Sequence, residues 1–381
     1  MYTQSLLVRK VNIFSGIFFL QFILFFPLNF LNDFQLKCTQ FIFGNITQFL
    51  LESIFDKKYV RIDYSSDSYS MLILIIILLF TSFIFSCLIR KKRVNHFLWI
   101  TEYVCMMYIS IVLIKYGIDK LFKTQFSEPE SNILFTRLGN LDKDILFWST
   151  IGTSKIYNTV IGSIEFLSGA LLLYKRTQFF GLLLAIICFT QVFIINISFD
   201  ISVKFFSLIL LLMSIFLVRK NGWKLILNLI NLPKKNFFNS PLLLPYKVFL
   251  KILILGMVLI KIGMPYFNTE DPKKSLNLIG AYQVTSSGSP YQYLFFHKDQ
   301  YLIFMEKDSE KMTSFHYDIS FDYQMIIEDD QHNISKHLLM KNQNDNTLIF
   351  PFNNQIIKAK PVNIKRMNAL QDRFHILVDE Q

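Results

Sequence analysis

Long apolar stretches alternate with polar segments over the first two thirds of the chain. Each stretch holds about twenty residues, which is the length of α-helix that spans the hydrocarbon core of a bilayer. The pattern predicts about seven membrane spans, at about 11–31, 70–89, 97–117, 156–174, 178–196, 201–218 and 248–266. Two longer segments of mixed charge, at about 32–69 and 118–155, separate the first span from the second and the third from the fourth.

The first of these polar segments contains a mixed region from Phe34 to Phe55, in which apolar residues are spread among Thr, Gln and Asn. Two arrangements explain this composition equally well. The region can form an interfacial helix that lies on the outer leaflet, or it can pack as a lid over the helical bundle.

After Pro265 the long apolar runs give way to short alternating or β-rich runs about ten residues apart. They lie at about 278–284, 301–306, 313–319, 336–340, 347–352 and 374–378. Turn residues separate them, for example at 286–290 and 342–346. About eight strands of this length fit a small antiparallel barrel or sandwich.

These patterns predict a mainly α, polytopic membrane bundle followed by a C-terminal all-β domain. A composition that is 52% hydrophobic, with 41 Phe, agrees, because a soluble domain this apolar would expose too much apolar surface. The expected domains are two N-terminal spans with an outer loop at 1–96, a four-helix membrane core at 97–218, a cytoplasmic linker and last span at 219–266, and an extracytoplasmic β domain at 267–381.

Four clusters of Lys and Arg without any acidic residue occupy alternate gaps between the apolar runs. Basic residues near span ends are retained on the cytoplasmic side of a membrane, so the clusters predict a cytoplasmic N-terminus and an extracytoplasmic C-terminus. The net charge of +11 belongs to the membrane part, and we therefore expect no nucleic-acid partner. The clusters consist of Arg9 and Lys10; Arg90, Lys91, Lys92 and Arg93; Lys175 and Arg176; and Arg219, Lys220, Lys224, Lys234, Lys235 and Lys247.

Ionisable residues inside spans are costly, so each one is a candidate functional residue. Glu165, near the middle of the fourth span, is the strongest; it either fixes helix packing or contacts a ligand, a quinone or a proton. Other polar groups fall in the outer third of the membrane and could line an outward-opening pocket with Glu165 at its floor. These groups are Lys115, Gln191, Asn196, Asp200 and Lys204. Asp200 and Lys204 can pair because they stand four residues apart, and the alternative for the lysines is that they snorkel to headgroups.

The remaining polar residues give weaker indications of a functional site. Glu102, near the inner end of the third span, is expected to pair with the basic cluster at 90–93. His332 and His337 have only a loose ligand-like spacing, and we expect no metal site. The sequence contains no motif of a catalytic triad or a phosphate-binding loop, so catalytic residues cannot be assigned.

Two segments carry a resemblance to a known family. Residues 115–122 read KYGIDKLF and contain the pattern G-x-x-K-L, while residues 165–173 read EFLSGALLL and are followed by a basic turn at 175–177. Both segments resemble the DoxX family of small four-helix membrane proteins, over about 97–218. The resemblance implies a bacterial inner-membrane protein, in some members a subunit of quinone-linked oxidation. In this resemblance the family's acidic residue corresponds to Glu165. Its other motif positions correspond to Gly117, Lys120, Leu121 and Gly169.

The leading functional hypothesis is a non-enzymatic or accessory component of the bacterial cell envelope. Its bundle would bind a lipid or a quinone, and its β domain at 267–381 would bind a protein partner. One alternative is a membrane subunit of a quinone-linked oxidoreductase, with Glu165 as a proton-coupled contact. A transporter is a weaker alternative because the sequence lacks a repeated pair of broken helices.

Overall fold

The computed structural model describes residues 6–26, 32–57, 60–89, 93–219, 256, 278–319, 324–328, 334–342, 345–353 and 355–371. The chain divides into two compact units, and both are discontinuous in sequence. One consists of Met1–Gln125 with Thr159–Tyr266, and the other of Phe126–Asn158 with Phe267–Gln381. Most of the polar segment between the third and fourth predicted spans therefore belongs with the β strands, which the sequence pattern did not indicate.

The first unit is helical. Five helices of the described residues are long and apolar enough to cross a membrane: α1 (Leu6–Phe25), α3 (Tyr69–Leu88), α4 (Val94–Leu121), α7 (Lys155–Leu173) and α8 (Gln178–Ser198). A sixth apolar helix, α9 (Lys204–Val218), is shorter, and α2 (Asn32–Phe55) lies within the first predicted outer loop. The first predicted span, about 11–31, is displaced, because α1 ends at Phe25 and α2 begins at Asn32. The seventh predicted span, about 248–266, lies outside the described residues apart from position 256.

Two helices, α3 and α9, begin where a side chain supplies a hydrogen-bond acceptor to their first turn. Ser68 caps α3, since its side chain accepts a hydrogen bond of 3.0 Å from the backbone N–H of Met71. Asp67 caps α9 from a distance in sequence, because its carboxylate accepts the backbone N–H groups of Lys204 at 2.6 Å and Phe205 at 3.0 Å. The cap explains why α9 starts at Lys204 rather than at the predicted position 201.

Aromatic side chains fill the core of the helical unit. Phe22 stacks on Phe26 with ring centroids 4.9 Å apart, and Phe26 stacks on Phe206 of α9 at 4.6 Å. Phe19 meets Phe216 edge to face at 5.3 Å. These contacts pair the end of α1 with the start of α9 and therefore show that the two helices are antiparallel.

The described residues of the second unit form nine antiparallel strands in one sheet that closes almost completely into a barrel, so of the predicted barrel or sandwich the barrel is confirmed. The spatial order is β6-β5-β4-β3-β2-β1-β9-β8-β7. At the seam the ring of His337 on β6 lies 5.9 Å from the ring of Phe352 on β8. The strands are β1 (Gly280–Val284), β2 (Tyr291–Phe296), β3 (Tyr301–Glu306), β4 (Met312–Ile319), β5 (Gln324–Glu328), β6 (Ile334–Leu338), β7 (Met340–Lys341), β8 (Leu348–Phe352) and β9 (Gln355–Val362).

The predicted strands match this sheet unevenly. β3 has the predicted bounds, whereas the predicted strand at 336–340 divides at Leu339 into β6 and β7. The pattern did not single out β2, β5 or β9; in β9 the alternation of buried Ile357 and Ala359 with exposed Lys358 and Lys360 is short and ends at Pro361. The predicted run at 374–378 lies outside the described residues.

The barrel wall carries a second apolar cluster on its outward face, and residues of the 126–158 segment cover it. Phe135 of the short helix α5 (Ser131–Phe135) places its ring 4.5 Å from Tyr293 and 5.3 Å from Phe295. Arg137 forms an ion pair of 2.6 Å with Glu310 beside it. This segment, which also contains α6 (Lys143–Thr153), is thus a structural part of the β unit.

Candidate functional site

Helices α4 and α7 approach each other until their backbones touch, and glycine permits the approach. A Cβ atom on Gly117 would lie 2.6 Å from the backbone N of Phe166 and 2.7 Å from the carbonyl O of Gly162. At a second level a Cβ on Gly169 would lie 2.8 Å from the carbonyl O of Ser110, and the Ser110 hydroxyl donates to the Gly169 carbonyl at 2.7 Å. Packing of this kind, with small residues at the contact, is common between membrane helices.

The close approach brings two residues of the resemblance motif into direct contact. Lys120 Nζ lies 2.6 Å from Glu165 Oε2, and the two side chains are only 7% and 5% exposed. Lys120 Nζ also donates to Gln125 Oε1 at 3.0 Å, and it lies 5.5 Å from the ring centroid of Tyr116. The result is a buried ion pair with a polar and an aromatic neighbour.

The position of this pair follows from the antiparallel packing of α4 and α7. Gly117 faces Gly162, whereas Ser110 faces Gly169, so the start of α7 lies beside the end of α4. Glu165 is central in the sequence of α7, but it is level with the last turn of α4, which ends at Leu121. The ion pair therefore lies beside the last turn of α4 and the middle of α7.

Lys115 forms a separate ion pair within α4. Its Nζ lies 2.5 Å from Asp119 Oδ2, and both side chains are partly exposed. Lys115 Nζ also lies 4.9 Å from the ring centroid of Tyr116. Tyr116 is thus within cation–π range of both Lys115 and Lys120.

The last group of candidates joins α8 to α9. The predicted ion pair of Asp200 with Lys204 is present at 2.7 Å. Asn196 is 3% exposed and donates to Ser207 Oγ at 3.0 Å. The capping carboxylate of Asp67 also lies here, 3.9 Å from Lys204 Nζ, and sequence reasoning missed it because it stands 137 residues earlier.

The structure thus places the candidates in separate groups of contacts. α4 and α8 are both antiparallel to α7, because Gly181 near the start of α8 packs against Ser168 and Leu172 near the end of α7. The ends of α4 and α8 therefore lie at the same end of the unit, together with the start of α9. Gln191 is exposed on α8. The single pocket that would connect these groups stays a prediction.

A second buried ion pair lies at the opposite end. Glu102 Oε1 accepts a hydrogen bond of 2.8 Å from Arg219 Nη2, and Arg219 Nε donates to Asn12 Oδ1 at 2.9 Å. Sequence reasoning expected Glu102 to contact the cluster at 90–93, of which 90–92 lie outside the described residues. Arg219 belongs to another basic cluster, and its position at the inner end of the sixth predicted span is the signal that could have indicated this pairing.

Two further sources of information, possible metal-ligand groups among the described residues and comparisons with known proteins, add nothing to these contacts. Among the described residues, His, Cys, Asp and Glu form no group of three or more that could hold a metal ion. No protein-family model, curated protein or solved structure matches this chain. The resemblance to the DoxX family stays a prediction based on the two quoted segments.

Proposed function

We propose that this chain is an integral protein of a bacterial inner membrane and acts as a non-enzymatic or accessory component of the cell envelope. Its bundle binds the polar head of a lipid or a quinone beside Lys120 and Glu165, and its β unit binds a protein partner. The observation that carries the proposal is the buried ion pair of Lys120 with Glu165 at the contact of α4 and α7.

The energetics of such a pair support a role beyond packing. A buried ion pair contributes little net stability, because desolvation offsets most of the attraction between the charges. The two helices are already joined by glycine packing and by the hydrogen bond from Ser110 to Gly169. A costly pair at a contact that does not need it is more typical of a functional site.

The chemistry of Lys120 indicates what the site could bind. A lysine ammonium has three N–H donors, and those of Lys120 reach Glu165 and the side-chain oxygen of Gln125. Gln125 stands beyond the end of α4, in the turn that follows it. A quinone carbonyl or a lipid phosphate oxygen could replace this amide oxygen on Lys120 without breaking the ion pair.

Native mass spectrometry of the purified protein tests the proposal. We expect a bound lipid or quinone on the wild-type protein and its loss in Lys120→Gln, which removes the ammonium group that would hold the polar head. The matched control is Asp119→Asn, which removes the other ion pair of α4 and should retain the bound molecule. A wild-type bundle that carries no small molecule would contradict the proposal.

The competing function, a subunit of a quinone-linked oxidoreductase, is favoured by the same ionisable pair, because Glu165 and Lys120 could exchange a proton. A phenotype that survives Glu165→Gln but is abolished by removal of residues 275–381 would exclude this alternative. A phenotype that is abolished by Glu165→Gln but survives removal of residues 275–381 would exclude the proposed role of the β unit in binding a protein partner.

The proposal includes seven crossings with a cytoplasmic N-terminus. The segment 126–158 and the β strands belong to one compact unit, which supports their being on the same side of the membrane. In the sequence, α7, α8 and α9 lie between this segment and the strands. Three crossings would leave the strands on the opposite side of the membrane from the 126–158 segment. One further crossing is required, and the apolar sequence at about 248–266 has the length for it. A reporter fused after Gln381 should be active only outside the cytoplasm.

A further inference from the structure

We infer that α2 is an interfacial helix whose phenylalanine-rich face lies against the acyl chains of one membrane leaflet. The inference rests on the proposal that the chain is a membrane protein. It goes further because it assigns a lipid-binding surface to a helix that is not a membrane span.

The first observation is that α2 crosses α1 steeply. Gln35 Nε2 donates to the carbonyls of Ile23 at 3.3 Å and Leu24 at 3.1 Å, and Thr39 Oγ1 donates to the carbonyl of Phe25 at 2.8 Å. One turn further, the ring of Phe43 meets the ring of Phe25 at 4.9 Å. About 12 Å of α2 thus contacts a single turn of α1, and that turn is the last one of α1.

The second observation is that α2 ends at another helix terminus. The ring of Phe55, the last residue of α2, lies 5.0 Å from the ring of Tyr69, the first residue of α3. Between these ends Thr47 accepts a hydrogen bond of 2.9 Å from the hydroxyl of Tyr64. If α1 and α3 cross the membrane, α2 connects the end of one span to the start of the other on the same side of the membrane.

The third observation is that α2 exposes large apolar side chains and buries polar ones. The two faces are mixed, since Asn45 and Glu52 are exposed among the apolar residues, and Phe43 and Leu51 are buried beside the polar ones. The inward face holds Gln35, Thr39 and Thr47, which are 8%, 0% and 0% exposed. The outward face carries five large apolar residues at helical spacing. They are Phe34, Phe41, Ile42, Ile46 and Phe49, which are 68%, 89%, 50%, 51% and 66% exposed.

Lipid is the occupant that explains this arrangement, because the exposed face continues into the surface of the candidate spans. Leu24, at the crossing with α1, is 62% exposed, and α3 exposes Phe80 and Phe83 by 65% and 62%. At the far end Lys57 lies 5.7 Å from the ring centroid of Tyr69, which is 51% exposed. A lysine beside a tyrosine at the end of a span is typical of the headgroup level of a membrane.

Photo-crosslinking in vesicles tests the inference. The full chain would carry p-benzoylphenylalanine in place of Phe41 or Phe49 and would be reconstituted into phosphatidylethanolamine–phosphatidylglycerol vesicles, irradiated and weighed by intact mass spectrometry. Both positions are exposed, so the substitution should leave the fold intact. We expect a lipid adduct at Phe41 and at Phe49, with a yield within about twofold of that at Phe80.

Adducts measured at Phe43 and Phe80 distinguish a failure of this inference from a failure of the proposal that the chain is a membrane protein. Phe43, on the buried face of α2, should give less than a tenth of the lipid adduct seen at Phe41. A lipid adduct at Phe80 without one at Phe41 and Phe49 would overturn the assignment of α2 and leave the membrane proposal standing. Lack of a lipid adduct at Phe80 as well would overturn both. In native membranes, a protein adduct at Phe41 in place of a lipid adduct would show that this face binds a partner protein instead.

Discussion

The contact of α4 with α7 makes Gly117 the position at which one added methyl group should have the clearest effect. In Gly117→Ala the new Cβ would lie 2.6 Å from the backbone N of Phe166. An ordinary contact is 3.4 Å or more, so the two backbones would have to separate by about 0.8 Å. A separation of this size would also weaken the ion pair of Lys120 with Glu165, which lies one turn further along α4.

The magnitude follows from two opposing effects. Overpacking a well-packed contact costs about 1–3 kcal/mol, whereas replacing Gly by Ala inside a helix stabilises it by about 1 kcal/mol. We expect a net destabilisation of about 0–2 kcal/mol. Gly44→Ala in α2 is the matched control, because its Cβ would come no closer than 3.4 Å to a neighbour and that neighbour is a flexible Gln40 side chain. The control should be stabilised by about 1 kcal/mol.

Thermal unfolding in detergent, followed by tryptophan fluorescence, measures the difference between these two variants, and native mass spectrometry measures the bound small molecule. We expect Gly117→Ala to unfold at a lower temperature than Gly44→Ala and to lose the bound molecule. If Gly117→Ala is stabilised as much as Gly44→Ala, the backbone contact is not as close as described, and the argument from helix packing fails.

Three further predictions concern other parts of the chain. Glu102→Gln should destabilise the helical unit by about 3–5 kcal/mol, because it leaves the Arg219 guanidinium buried without its counter-charge. Thermal unfolding measures this loss. The control Asp119→Asn, at a partly exposed ion pair, should change the stability by less than about 1 kcal/mol. Burial lowers the pKa of His337 from its ordinary value of 6.5, so its neutral form stabilises the barrel above pH 6.5 and this contribution is lost as the pH falls through the lowered pKa; the barrel of His337→Gln should lose less stability than wild type between pH 7 and pH 5. Phe135→Ala should release the 126–158 segment from the barrel wall at a cost of about 2–4 kcal/mol, and limited proteolysis should cut this segment faster than in wild type.

Hydropathy predicted most helices because a run of twenty apolar residues is a local signal. It placed α3, α7 and α8 within about two residues of their bounds, and it located the β domain, as a barrel or a sandwich, because many of the strands are separated by clear turns. It failed at α1, where the apolar sequence continues beyond Phe25 but the helix does not. The break at Leu339 between β6 and β7 depends on pairing between strands, which a local pattern does not report.

The candidate site was predictable only where its contacts are local. Asp200 and Lys204 stand four residues apart, and their pairing followed from helix geometry. The contact of Lys120 with Glu165 joins positions 45 residues apart, and only the resemblance selected both residues. The contacts of Asp67 with Lys204 and of Glu102 with Arg219 bridge 137 and 117 residues, so they depend on tertiary packing that the sequence alone does not specify.

The second unit is assembled from two pieces of sequence, and this has a consequence for biosynthesis. Phe135 is synthesised 158 residues before Tyr293, its partner on the barrel wall. At about 5–20 residues per second, the 126–158 segment waits roughly 8–30 s for the strands that it covers. During that interval the segment has no barrel to pack against. When the strands form, they meet a segment that has already been synthesised. A fragment made of 267–381 alone would expose Phe295 and Ile303 to solvent, so we expect it to aggregate unless the 126–158 segment is supplied with it.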